Sequence, residues 1–251
     1  MAAIEKDPVR STQAYQKRCW TNYKTSIGFP LDRTYLSGNP LKVQVPVDTA
    51  SGGLFIIGAY PTAHFNTING VRDVPVGDHL YPFSNERYFD GSSVRCVRSG
   101  EELDALFLKP LGVDRSASWI TDLVKVFLFK EGHSAKYGQL GGPKQMTEDR
   151  TKFLSYAQHP ANMKFLEQEL ELAKPKVVVL LGAEVAGVLL GAGRSAAGYL
   201  SIKEHELQIG KASYRCFACP HPGILLRNRA GSEKWMQVLQ EQIPLIRKAL
   251  N

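Results

Sequence analysis

Two classes of protein are excluded by what the sequence lacks. Cysteine is scarce, with four among 251 residues, which is too few for a disulfide scaffold of this size. No uncharged apolar run approaches the roughly 18 residues that span a bilayer, and the N-terminus lacks the apolar stretch of a secretory signal. The sequence therefore predicts a cytoplasmic protein with no membrane partner.

The composition and charge are those of an ordinary folded chain. Hydrophobic residues make up 43% and charged residues 22%, without repeats or low-complexity tracts. The 31 basic and 24 acidic residues give a net charge of +7, which favours a polyanionic partner but also occurs in proteins that bind none. Seven basic and three acidic side chains fall in the first 42 residues. This segment is therefore either an arm on DNA or an extension docked on the domain.

The pattern from residue 51 onward predicts one domain, 51–251, preceded by an extension over residues 1–50. Apolar runs at 54–57 and 177–181 are flanked by glycine or proline, as in strands that are covered on both faces. Apolar stripes at helical spacing lie between the predicted strands. Alternating strands and helices predict an α/β fold, with a parallel sheet between two helical layers.

A long segment, residues 59–98, separates the first strand from the next helix. It is rich in Gly, Pro, Asn and Asp with scattered aromatics, and its length predicts a functional loop rather than a simple connection. The spacing of Ser99 and Glu102 is that of a capping box, which predicts a helix beginning at Ser99.

Three predicted strand ends carry residues suited to chemistry, namely Gly58, Asp122 and His221, and ligands bind at such ends in parallel sheets. The surrounding text reads GAYPTAH, WITDLVK and HPGILLR, and residues 174–183 read KPKVVVLLGA. In order and spacing these segments resemble motifs of the uracil-DNA glycosylase superfamily. The resemblance is closest to its family 4 and family 5 branches.

This resemblance implies a three-layer α/β/α sandwich with a short central, mainly parallel four-stranded sheet. It also implies a DNA N-glycosylase, which hydrolyses the N-glycosidic bond of a damaged or deaminated base extruded from duplex or single-stranded DNA. We expect a monomer. The expected DNA contacts are Lys125, Leu226, Arg227 and Arg229, with Leu226 pressed into the emptied stack and the basic residues on phosphates.

An extruded base needs an aromatic platform and hydrogen-bonding partners. The resemblance assigns the platform to Phe89, and Tyr60 and Phe83 are alternatives. Gly58, Tyr60 and His64 are expected to line the base pocket.

The catalytic groups follow the family only in part. His221 is expected to donate a hydrogen bond to the base O2 as negative charge develops there. In the first motif, the family carries an acidic or amide residue that positions water, whereas this chain has Ala59 and Tyr60. Asp78 resembles an aspartate downstream of that motif in family 5 and is expected to take over its role. An aspartate beside a glycine, such as Asp78, is also common in turns.

Asp122 stands where the family has the asparagine that reads uracil. An ionised carboxylate cannot donate a hydrogen bond to the base O4. Either burial raises the pKa of Asp122 until its acid form donates, or the preferred base presents two adjacent donors, as guanine does. The sequence therefore predicts altered base specificity with reduced uracil excision, and Asp122 acts as base reader or as general base.

Neither a metal nor a cofactor is predicted. Family 4 holds an iron–sulfur cluster on four cysteines, but Val126 stands where one of these ligands is expected and the N-terminal extension offers only Cys19. Cys216 and Cys219 have CxxC spacing, yet residues three apart on a strand point to opposite faces. They therefore do not predict a metal site.

Two other functions stay open from the sequence. One is a non-catalytic nucleic-acid-binding module that kept the fold after losing the first-motif acid. The other is an enzyme that acts on free nucleosides or another small ligand. Salt-dependent affinity for DNA would exclude the latter, and abasic-site formation would exclude the former.

Overall fold

A computed structural model of the protein describes residues 11–143, 146–191, 196–225 and 232–251. Its centre is a five-stranded sheet. In spatial order the strands are β6 (Ser118–Asp122), β1 (Leu54–Gly58), β7 (Val177–Leu181), β9 (Ala212–Cys219) and β8 (Glu204–Ile209). The first four are parallel to one another, and β8 pairs antiparallel with β9 at the edge.

The central strands are apolar throughout because both faces of the sheet are covered. Every residue of β1, β6 and β7 is buried, as is typical of parallel strands between helices. The predicted α/β sandwich is confirmed. Its four parallel strands agree with the expected sheet, and β8 adds a fifth, antiparallel strand.

Helices cover both faces of this sheet, and two of them are joined by a π-helical turn. The helices are α1 (Thr12–Ser26), α2 (Arg98–Leu103), the π-helical turn (Asp104–Leu108), α3 (Lys109–Leu111), α4 (Glu131–Gln139), α5 (Phe153–Ala157), α6 (Pro160–Ala173), α7 (Ala183–Leu189), α8 (Ala196–Tyr199), α9 (Pro222–Leu225) and α10 (Ser232–Leu250), with 3₁₀ turns at Arg115–Ala117 and Arg150–Lys152. Within the described ranges, no helix is long and apolar enough to cross a membrane.

The alternation of side chains along each strand divides the core in two. Phe55 and Ile57 of β1 join one cluster, which also takes in residues of α1 and α6. Leu54 and Ile56 join the other, which is closed by the segment from α2 to α3 and by α10. Both faces of the central strands are therefore covered by apolar side chains.

The described part of the N-terminal extension packs on the domain. Tyr15, Cys19 and Tyr23 follow one another at four-residue intervals and form the buried face of α1. The Tyr23 ring lies 5.2 Å from the Phe165 ring of α6, between centroids. Tyr15 donates a hydrogen bond to Glu169 of the same helix. These contacts cover one edge of the core.

The prediction of one long irregular loop over residues 59–98 is wrong. The segment forms two antiparallel hairpins, β2 (Ala63–Ile68) with β3 (Val71–Asp78), and β4 (Arg87–Phe89) with β5 (Val94–Cys96). Asn69 and Gly70 form the first turn, with φ angles of 48° and 81°. Positive φ at both positions is what a tight hairpin turn requires, and the Asn-Gly pair favours it.

The helix predicted after this segment exists, but its capping box does not. The N-cap of α2 is Val97, which makes no side-chain cap, so Ser99 does not have the predicted role. A Cβ on Gly100 would overlap with the Ser84 carbonyl. The helix therefore begins where it packs on the preceding loop, and Glu102 is buried rather than capping.

Candidate active site

Gly58, Asp122 and Phe83 meet at the carboxyl end of the sheet. Gly58 and Asp122 are the last residues of β1 and β6 and are paired across the two strands. A Cβ on Gly58 would overlap with both Oδ1 of Asp122 and the Phe83 ring. Only glycine lets a carboxyl group and an aromatic ring approach this strand end together.

Phe83 is held by its backbone in an unusual conformation. Its φ of 52° lies in the left-handed region, which is strained for a bulky residue. The Arg115 guanidinium donates from Nη2 to the carbonyls of Phe83 at 2.7 Å and Gly100 at 3.2 Å. Its Nε donates to Asp104 at 2.6 Å. Arg115 thus fixes the loop that presents the ring.

The His221 ring also lies near Phe83. The two ring centroids are 6.3 Å apart with 39° between the ring planes. His221 follows β9, and its Cβ lies 3.3 Å from the position of a Cβ on Gly182, directly after β7. The Gly223 N–H donates to Nδ1 at 3.1 Å. In the neutral imidazole the proton is therefore on Nε2, which is a hydrogen-bond donor.

Asp122 is a carboxyl group with 2% of its surface exposed. Burial raises its pKa to about 7, the Lys125 ammonium opposes this rise, and Glu169 adds to it. Among the residues that the structure describes, none donates a hydrogen bond to the carboxyl group. A carboxyl group at a strand end whose pKa is raised mainly by burial is typical of a ligand site.

A closed polar network around Glu169 lies beside Asp122. Lys125 Nζ pairs with Glu169 at 2.5 Å and donates to Thr121 Oγ1 at 2.8 Å. Trp119 donates to the second Glu169 oxygen at 3.1 Å. Lys125 is 1% exposed, so its ammonium is engaged in the core and does not fit the role of phosphate contact.

Tyr60 lies within electrostatic range of Asp122. Its ring packs on Phe153, with 5.7 Å between centroids. Burial raises the pKa of its hydroxyl, Arg150 opposes the rise, and the charges of Glu184 and Asp122 add to it. Tyr60 is therefore neutral at pH 7 and is not a general base.

Asp78 is engaged with the N-terminal extension. The Tyr35 hydroxyl donates to one of its oxygens at 2.8 Å, and the Lys42 N–H donates to the other at 2.9 Å. Asp78 ends β3, so these bonds tie the hairpin to the extension. The carboxyl group thus has a structural task that the sequence did not reveal.

The aromatic side chains of the two hairpins differ from expectation. Phe89 is 66% exposed on β4, and its ring contacts no other aromatic ring among the described residues. Phe83, one of the two alternatives, occupies the place beside the strand ends. His64 stacks on Tyr88 at 4.1 Å and lies 4.7 Å from the His79 ring, between centroids.

The predicted DNA contacts Leu226, Arg227 and Arg229 lie outside the described residues and stay predictions.

The sequence did not reveal that Glu102 lies close to the loop that carries His221. Oε2 of Glu102 lies 3.8 Å from the position of a Cβ on Gly223. The spacing of Glu102 from Ser99 predicts a capping box instead. Only the packing of α2 on α9 brings the Glu102 carboxyl group to the loop that carries His221.

The fold and the site define an α/β sandwich whose strand ends hold a glycine, a buried carboxyl group and a histidine. A family model, that of the uracil DNA glycosylase superfamily, matches residues 48–242, a span that includes these three residues. The protein therefore belongs to the uracil DNA glycosylase superfamily. No curated protein matches the chain.

Proposed function

We propose that the protein is a DNA N-glycosylase that hydrolyses the N-glycosidic bond of a damaged or deaminated base, with a base preference set by Asp122. The observation that carries this proposal is the buried Asp122 carboxyl group, which has no donor among the described residues and lies beside Phe83. A flat ligand with hydrogen-bonding groups along one edge suits such a site. Superfamily membership supplies the reaction class.

Phe83 and His221 suit the two other tasks of base excision. The base stacks on the Phe83 ring, which is fixed by Arg115. Nε2–H of His221 donates to O2 of the departing base, where negative charge develops as the glycosidic bond breaks. Water then adds to the cationic sugar and leaves an abasic site.

Asp122 recognises different base edges in its two protonation states. The protonated acid has one acceptor and one donor, as an asparagine amide does, and so fits N3–H and O4 of uracil. The carboxylate accepts from two adjacent donors, such as N1–H and N2–H of a guanine-like base. With a pKa of about 7, both forms are present at neutral pH.

The ionised form of Asp122 also suits the water-activating role that the first motif leaves open. Asp78 fits that role less well, because both of its oxygens already accept hydrogen bonds. General base is thus the alternative to the reader role of Asp122, and Asp122→Asn separates the two: loss of a general base would abolish excision of every base, whereas loss of the reader would change only the base preference.

DNA is the proposed partner and the protein is proposed to act as a monomer in the cytoplasm. The net charge of +7 favours phosphate contacts. Arg227 and Arg229 are the proposed phosphate contacts. Leu226 is the proposed side chain that fills the emptied base stack, and all three residues follow His221 closely in the sequence. Closeness to the family 4 and family 5 branches is part of the same proposal.

The test is a panel of duplex and single-stranded oligonucleotides that carry uracil, hypoxanthine, xanthine or an alkylated base. Alkaline cleavage reports abasic sites. We expect the wild-type protein to cut at least one member. His221→Gln should be about 100- to 1000-fold slower, the usual loss for one transition-state donor. His205→Gln, on the edge strand β8, is the matched control and should keep wild-type activity.

A non-catalytic DNA-binding module is the second candidate, and the first motif favours it. Ala59 cannot activate water, and Tyr60 keeps its proton because burial raises its pKa. If no member of the panel is cut while wild type and His221→Gln bind DNA equally, with affinity that falls as salt rises, this second function replaces the first.

A further inference from the structure

Two histidines and a glutamate converge outside the Asp122 site. His64, His79 and Glu86 each offer one ligand atom, and these atoms all lie within 4.8 Å of one another. The hairpin brings the histidines together, because Ala63 is paired with Asp78 across β2 and β3. Glu86 reaches them from the residue before β4.

The carboxyl group of Glu86 faces both imidazoles. Its Oε1 lies 2.7 Å from Nε2 of His64 and 3.6 Å from Nδ1 of His79. The Leu80 N–H also donates to Oε1, at 3.2 Å. Atoms bound to one zinc ion, at about 2.0–2.2 Å each, are at most about 4 Å apart. Small side-chain shifts therefore suffice to place all three ligands around an ion.

One polar atom of this cluster lacks a partner. Oε2 of Glu86 is buried and has no hydrogen-bond partner within the described part of the chain. Buried polar atoms are nearly always paired, so the protein alone does not complete this cluster.

We propose that His64, His79 and Glu86 form a binding site for a divalent transition metal ion, with Zn²⁺ the best match. Two imidazoles and one carboxylate are a recurrent zinc donor set, which leaves a fourth position for water or a ligand. His64 therefore belongs to this site rather than to the base pocket.

The ion would also position Phe83. His79 and Glu86 stand at the two ends of residues 80–85, the loop that carries the Phe83 ring and its left-handed backbone. An ion that joins these ends closes the loop and limits its motion. This consequence rests on the proposed function, whereas the metal site does not.

The test begins with full-length protein stripped by a chelator and titrated with Zn²⁺ against a chromophoric competitor. We expect one equivalent to bind. His64→Gln and Glu86→Gln should weaken binding at least about 100-fold, since outer-shell changes alone cost 10–100-fold. Cys96→Ser and His205→Gln are matched controls for adventitious thiol and imidazole ligands, and both should bind as wild type does.

Co²⁺ provides a second readout, because its visible spectrum distinguishes nitrogen and oxygen ligands from thiolate. A tetrahedral spectrum without a thiolate charge-transfer band supports the site. Failure to bind one equivalent, a thiolate band, or equal binding by wild type and both cluster variants overturns it. These measurements use no DNA, so their failure would leave the proposed glycosylase function standing.

Hydrogen exchange tests the consequence for Phe83. Zn²⁺ should slow exchange in the peptide covering residues 79–88 of wild type and not of His64→Gln. Circular dichroism of His64→Gln in the stripped state should equal that of stripped wild type, which separates loss of the ion from loss of the fold. Binding of Zn²⁺ without slower exchange would refute the positioning role.

Discussion

Asp122 and Glu169 are both removed from solvent and both interact with Lys125, yet their surroundings differ. Glu169 accepts hydrogen bonds from Tyr15 and Trp119 and forms an ion pair with Lys125. Asp122 has no donor to its carboxyl group among the described residues, and burial raises its pKa to about 7.

The difference separates a structural carboxylate from a functional one. A buried charge is tolerated when its hydrogen-bonding capacity is filled, as it is at Glu169. A carboxyl group whose charged form is disfavoured by burial at a strand end bears a cost that a ligand can relieve. Asp122 is such a group, and three substitutions test the contrast.

The largest expected effect is on the network of Glu169. Glu169→Gln leaves the Lys125 ammonium buried without its counter-charge, so the free energy of unfolding should fall by about 3–5 kcal/mol. Urea denaturation measures it. Glu167→Gln, which breaks only the surface pair with Lys164, should cost at most about 1 kcal/mol. Equal effects of the two variants would contradict the structural role of Glu169.

Asp122→Asn should raise the free energy of unfolding, whereas Glu169→Gln lowers it. The folded-state pKa of Asp122, about 7, exceeds its ordinary value of 3.8, so the folded protein holds this proton more tightly. The resulting stability is complete below the unfolded pKa and is lost as pH rises through about 7. At about 1.4 kcal/mol per pKa unit, the variant should exceed wild type by up to about 4 kcal/mol at pH 8.

Denaturation of wild type and Asp122→Asn at several pH values measures this gain. The gain should vanish below about pH 3, where Asp122 is protonated in both states. Asp32→Asn, at an exposed position, is the control and should show no such trend. A variant less stable than wild type at pH 8 would mean that the Asp122 carboxylate is satisfied after all.

The smallest of the three effects distinguishes the two candidate platforms. Phe83→Leu should weaken transition-state binding by about 1–3 kcal/mol, the usual contribution of one aromatic stacked on a base. Phe89→Leu, on the exposed hairpin, is the matched control and should leave excision unchanged. Single-turnover excision measures both effects. A larger loss of excision rate for Phe89→Leu than for Phe83→Leu would assign the stacking platform to Phe89.

The parts of the fold set by local pattern were predictable. Strands β1, β6 and β7 follow from apolar runs. Gly58 and Asp122 end β1 and β6, and His221 follows β9 at the same edge of the sheet, as expected. The hairpins within residues 59–98 were missed because polar turn residues outweighed short strands. The Asn69-Gly70 pair was the local signal that predicts the first of them.

The remaining parts of the site depend on tertiary contacts that the sequence does not display. Phe83 reaches the site because Gly100 and Arg115 fix its loop. His64 and His79 become neighbours only through hairpin register. An interpretation limited to cysteine ligands therefore did not consider this cluster.

The pH dependence of excision by wild type and Asp122→Asn tests the central claim most directly. The substrates are matched oligonucleotides with uracil or with a guanine lesion that keeps N1–H and N2–H. Wild-type uracil excision should fall about tenfold per pH unit above about pH 7, whereas excision of the guanine lesion should rise through the same range. Asp122→Asn should excise uracil at a rate that does not change with pH in this range, and it should no longer excise the guanine lesion. Identical pH profiles and base preferences for the two proteins would contradict the claim that Asp122 reads the base.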